Sequence, residues 1–125
     1  MKDLNYCQSV AGCQTGLQSF VSAAVARASL VGGQAGLKYF NEVLGGQDAW
    51  PCGYSRVIVK VKGSTKLGRA LLATGFRKDY GGGLCRDFSG NIAQCMDVAV
   101  ASNQAALEVL RSNLDVVGYV TSRMD

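Results

Sequence analysis

The residues best placed to do chemistry in this chain are cationic. Between Asp48 and Asp79 there is no acidic residue, yet Arg56, Lys60, Lys62, Lys66, Arg69, Arg77 and Lys78 all fall in that interval. They are seven of the 13 Lys and Arg, and the other six share the rest of the chain with all nine Asp and Glu. A formal net charge of +4 therefore divides into +7 in the middle and −3 elsewhere. Lys60 and Lys62 alternate along an extended segment and project from one side of it, about 7 Å apart at the rise of a strand. Lys66 and Arg69 stand three apart, neighbours on one side of a helix. Between the two pairs, Gly63-Ser64-Thr65 supplies backbone N–H groups and hydroxyls at a helix start, where anions are stabilised. This pattern suits phosphate backbones held by charge rather than by base reading. The candidate polyanion-binding set is Arg56, Lys60, Lys62, Ser64, Thr65, Lys66, Arg69, Arg77 and Lys78. It is not a nucleotide-wrapping loop, because the Gly-Lys-Ser/Thr terminus is missing. The plainer reading of the same residues is a solvated basic strand and helix. Tyr54 and Tyr80 flank the segment, either as stacking surfaces for bases or as core.

Catalytic chemistry has less to work with. The chain has no His, the commonest general base, and no two acids lie at helical i, i+3 or i+4 spacing. Cys85 beside Arg86 is a candidate nucleophile, although Asp87 offsets that charge. The five cysteines, Cys7, Cys13, Cys52, Cys85 and Cys95, include no CxxC and no metal-ligand spacing. Free thiols in a reducing compartment are expected, with Cys7/Cys13 and Cys85/Cys95 able to pair under oxidation. No catalytic residue, metal or cofactor is expected.

The elements that must position these cations belong to one domain of 125 residues, 48% apolar and with slightly positive mean hydropathy. That composition excludes a disordered chain, and no 18-residue apolar run marks a membrane span. Residues 1–10 lack the pattern of a signal peptide, so an intracellular setting or a virion is expected. Charged residues are only 18%, and Gly, Ala and Val together fill 44 positions. Sparse charge on so small a chain points to burial against other copies.

Periodicity predicts an α+β fold: an N-terminal helix pair followed by strand–helix–loop–strand–helix–strand. The first helix runs over 15–31, capped by Thr15, with Leu17, Phe20, Val21, Ala24, Val25, Ala28 and Val31 inward. Gly32-Gly33 interrupts it, and a second helix buries Leu37, Phe40, Val43 and Leu44 before Gly45-Gly46. From Arg56 to Lys62 the period is two, with Val57, Val59 and Val61 on one face. A short helix over 66–74 follows, then an irregular stretch over 76–91 centred on Gly81-Gly82-Gly83. Met96, Val98 and Val100 alternate like a strand, Ser102 or Asn103 caps a helix through Ser112, and 116–121 forms a last strand. The rival for this region is one long helix from about Asn91, which belongs to an all-α alternative. The last strand is apolar on both faces, hence either central in a sheet or paired across a subunit boundary.

These features predict a non-enzymatic, self-assembling structural subunit of the shell, coat or filament type, its basic surface facing a polyanion such as RNA. The alternatives are a small nucleic-acid-binding regulator and a cysteine-dependent enzyme or ligand carrier. The partners expected are other copies of the chain and RNA or another polyanion, and no membrane.

Overall fold

The computed structural model describes residues 10–48, 50–90 and 95–124, with side chains from Gly16 onward. Among these residues, three helices and a four-stranded antiparallel sheet make an α+β fold, which excludes the all-α alternative. In chain order the elements are α1 (Val10–Glu42), β1 (Gly53–Val59), α2 (Lys66–Leu72), β2 (Arg77–Lys78), β3 (Leu84–Arg86), α3 (Met96–Leu114) and β4 (Gly118–Met124). The strands lie in the order β2-β3-β1-β4.

The predicted helix pair is one continuous helix, and Thr15 lies inside it rather than at its cap. Gly32 does not break α1 because it sits on the buried stripe. Val21, Ala24, Val25 and Ala28 are buried, and Gly32 and Gly36 continue that stripe four residues at a time. A Cβ at Gly32 would lie 2.9 Å from the Ser102 carbonyl oxygen of α3. The missing side chain lets two helix backbones approach, which offsets a helical glycine's handicap of about 1 kcal/mol. Phe20, Leu37 and Val43, expected in the core, are exposed.

β1 carries the predicted alternation: Val57 and Val59 are buried in the main core, while Lys60–Lys62 lie beyond the strand's end. The turn that follows is built as expected. Thr65 Oγ1 accepts from the Gly68 N–H at 3.0 Å and donates to the Lys62 carbonyl at 2.7 Å, capping α2. The irregular stretch contains a hairpin, β2–β3, with Gly82 and Gly83 at positive φ in its turn.

Residues 96–100 are helix, not strand. Val98, Ala99, Ser102, Asn103, Ala106, Leu107 and Leu110 form one buried helical stripe, so the short Met96/Val98/Val100 alternation carries no strand. Asn103 caps nothing. Its side chain accepts from the Phe88 N–H at 2.7 Å and donates to Asp87 at 3.0 Å, pinning the segment after β3 to the middle of α3. The rival long helix is overturned at its far end, where Asp115 takes a left-handed conformation (φ 53) and the chain turns into β4. Its proposed start at Asn91 and Ile92 lies outside the described residues. The last strand is an edge strand, not a central one.

The core lies between the sheet and the helices. Val57, Val59 and Leu84 meet Val21, Val25 and Ala28 of α1, Ala70 and Leu71 of α2, and Ala106, Leu107 and Leu110 of α3. All three helices thus share one face of the sheet.

Candidate functional site

The other face of the sheet is open: among the described residues no helix packs on it. Strand alternation and register say what stands there. Val57 and Val59 point to the core, so Tyr54, Arg56 and Ile58 point outward. The β1–β4 register sets Arg123 opposite Tyr54, Thr121 opposite Arg56 and Tyr119 opposite Ile58. On the other side of β1, Cys85 lies opposite Ile58, and Arg77 lies opposite Cys85. Along the centre of this face run Ile58 and Cys85, both buried, within a border of exposed cationic and aromatic side chains.

Arg56 is held by Asp79. Its Nε and Nη2 donate to Asp79 Oδ1 at 3.1 and 2.9 Å, and the Asp79 side chain is only 6% exposed. The Gly81 N–H donates to Asp79 Oδ2 at 3.1 Å. That bond, then the Arg56 guanidinium and a hydrogen bond from the Cys85 thiol, hold the Asp79 carboxyl below the usual carboxylate range, against the opposing effect of burial. Asp79 thereby anchors the turn of the β2–β3 hairpin over the open face. In the same turn a Cβ on Gly83 would collide with the Val59 carbonyl oxygen, so only glycine lets the turn lie this close to β1.

Lys60, Lys62, Lys66, Arg69, Arg77 and Lys78 are all exposed, and none forms an ion pair among the described residues. They do not form one ridge. Lys60 and Lys62 line a shallow recess with Gly81–Gly83, Ile58 and Tyr119. The Lys60 ammonium lies 5.9 Å from the Tyr119 ring centroid, within cation–π range. Lys66 and Arg69 line a separate recess between α1 and α2, beside Leu17 and Gln18. Lys78 reaches the Gly63 turn, its Cε 3.4 Å from where a Gly63 Cβ would be. Arg77 stands at the β2 edge of the open face. Ser64 is exposed, whereas the Thr65 hydroxyl is occupied by its cap.

Tyr54 is exposed on the open face, and Tyr80 is fully exposed in the hairpin turn. Sequence reasoning missed Tyr119 and Arg123 as members of this surface. The signal was present in the alternation Tyr119, Thr121, Arg123, but only the pairing of β4 with β1 says which face those residues share.

The cysteines are arranged differently from the predicted pairs. Cys85 lies buried on the outer side of β3, while Cys95 forms an antiparallel bridge with Cys52. All three are free thiols. Cys7 lies outside the described residues, as does the Cys13 side chain. Among the described residues no cluster of His, Cys, Asp or Glu could hold a metal ion, and no helix is long and apolar enough to cross a membrane.

No family model matches this chain, and no curated protein or solved structure matches it either.

Proposed function

We propose that this protein is a non-enzymatic structural subunit that associates with its own copies and holds a polyanion, RNA in the first instance, on the open face of its sheet. The observation that carries this reading is the composition of that face. Lys60 and Arg123 stand near exposed Tyr54 and Tyr119, and Arg77 closes the far edge of the same face of the antiparallel sheet. Cations follow a phosphate backbone, and aromatic rings on a sheet offer stacking surfaces to unpaired bases. Lys62 and Lys78 extend the positive surface around the Gly63 turn, whereas Lys66 and Arg69 stand apart from it, in the recess between α1 and α2. Arg56 has a different part: tied to Asp79, it fixes the hairpin turn beside Lys60. Self-association is supported by apolar side chains left in water, among them Leu30 (62% exposed) and Leu37 (50%) one heptad apart on α1. The setting this implies is the cytoplasm or a virion.

The test is fluorescence anisotropy of a labelled single-stranded RNA titrated with protein over a range of salt. Affinity should fall with salt, with a log–log slope of about −0.7 per phosphate contacted. The triple variant Lys60→Gln, Lys62→Gln, Arg77→Gln should flatten that slope by about two units. Salt-independent binding, or an unchanged slope in the variant, would remove RNA from the reading.

A further inference from the structure

The two edges of the sheet are unequal. β2, at one edge, is two residues long and both are cationic, which blunts it against pairing. β4, at the other edge, is seven residues long, without proline, and Arg123 is its one charged residue. Its hydrogen-bonding phase follows from one bond beside it: the Lys60 N–H donates to the Val117 carbonyl at 2.8 Å, which makes 60/117 a hydrogen-bonded pair. Stepping by two in the observed register, Tyr119, Thr121 and Arg123 turn their N–H and C=O groups to β1. Gly118, Val120, Ser122 and Met124 turn theirs to the free edge.

We propose that β4 pairs antiparallel with β4 of a second copy about a two-fold axis at Thr121, making one continuous eight-stranded sheet. This deepens the self-association in the proposed function and rests on it. The register is self-complementary. It sets Gly118 opposite Met124, Val120 opposite Ser122, Tyr119 opposite Arg123 and Thr121 opposite itself. The outward-turned residues then meet each other and exchange hydrogen bonds in pairs. Tyr119 gains a guanidinium neighbour, the two Thr121 side chains meet, and no like charges stand opposite each other.

Shape agrees with register. Beside the free edge runs a groove between β4 and α3, floored by Gly118 and Val120 and walled by Ala101, Ala105 and Leu107, with Gln104, Glu108 and Arg111 along its polar side. Gly118 has no room for a side chain, since a Cβ there would lie 2.5 Å from the Ile58 carbonyl oxygen of β1 and 3.1 Å from Leu107 Cδ1. Met124 is 53% exposed, and its side chain points to the helix side of the sheet, as Val120 does. In the paired register the Met124 of each copy lies next to the other's Gly118, at the mouth of the groove. The flexible apolar side chain left in water on one copy thus meets the small-residue recess of the other. The two open faces become one, doubling the run of Tyr54, Tyr119, Lys60, Arg77 and Arg123 offered to a polyanion.

The test is sedimentation of the full chain with Ser122→Pro as the edge variant. Ser122 is exposed and its N–H points away from β1, so proline there leaves the monomer's sheet intact. The wild type should sediment at twice the 13.2 kDa chain mass or a multiple of that, and the variant at half the wild-type value, still unfolding cooperatively but at the lower temperature that losing the association entails. Thr121→Cys, at the non-hydrogen-bonded centre of the pair where Cα atoms lie about 4.5 Å apart, should form a covalent dimer under oxidised glutathione that wild type does not. An oligomer that Ser122→Pro leaves whole, or a Thr121→Cys chain that does not cross-link, overturns the β4 pairing while self-association stands. A monomeric wild type overturns both. RNA binding retained by the Ser122→Pro monomer keeps the polyanion reading independent of either result.

Discussion

The same strands present two faces that obey different rules. On the helix side, Val57, Val59 and Leu84 are sealed against α1, α2 and α3, and each contributes by leaving water. On the open side, one residue along in each strand, Tyr54, Arg56 and Arg77 stand at the solvent, and buried Ile58 and Cys85 are sheltered only by neighbouring side chains and the hairpin turn. The first face is built for stability, and buried polar side chains on that side such as Ser55 and Asn103 are hydrogen-bonded. On the second, the apolar floor is too narrow to be a core, and of the charges around it Arg56 is taken by Asp79 while Lys60 and Arg77 form no ion pair among the described residues. The difference teaches that strand parity alone separates a face that holds the fold together from one left to solvent.

That separation can be broken by substitution. Leu84→Ala, on the sealed face, should lower unfolding free energy by about 2–5 kcal/mol in a urea titration. A cost near that of a surface substitution would mean the helix layer is not packed as described. Tyr54→Ala, on the open face, should leave the urea midpoint nearly unchanged yet weaken single-stranded RNA binding by about 1–3 kcal/mol. If it weakens folding instead, the two faces are not independent.

Asp79→Asn sharpens the comparison through pH. The Asp79 carboxyl titrates lower in the folded chain than in the unfolded one. Its contribution to stability is therefore fully present above about pH 4, the unfolded value, and is lost as pH falls through the folded one. Wild type and Asp79→Asn should differ in urea midpoint at neutral pH and converge in acid; parallel curves would mean Asp79 does not anchor the hairpin turn. The smallest effect concerns α1. Gly33→Ala meets no atom within 4 Å and should stabilise the helix by about 0.5–1 kcal/mol, whereas Gly32→Ala must push against the Ser102 carbonyl and should not. Equal gains at both positions would contradict the close approach of α1 and α3.

Much of this was legible in the residues. The Val57/Val59 parity of β1 and the Thr65 cap were each local, and the structure keeps both, while it splits the cationic interval into separate groups. The errors share a cause. Gly32-Gly33 resembles a helix stop, and only the α3 backbone lying against Gly32 shows why the helix runs on. Met96–Val100 alternates over too few residues to distinguish a strand from one edge of a helical stripe. Of the candidate site residues, the six exposed cations could be read from charge alone. Arg56 could not, because the carboxylate that holds it lies 23 residues away and arrives through the β2–β3 turn.

By itself the sequence determined the α+β class, the acid-free basic interval and the shortage of charge on the remaining surface, because composition and short periods are properties of neighbouring residues. The tertiary structure decided which face of the sheet stays open, that Lys60 and Lys62 part from Lys66 and Arg69 into two recesses, and that β4 lies at an edge. Those outcomes depend on strand order and helix placement, and both are set by contacts between residues far apart in the chain.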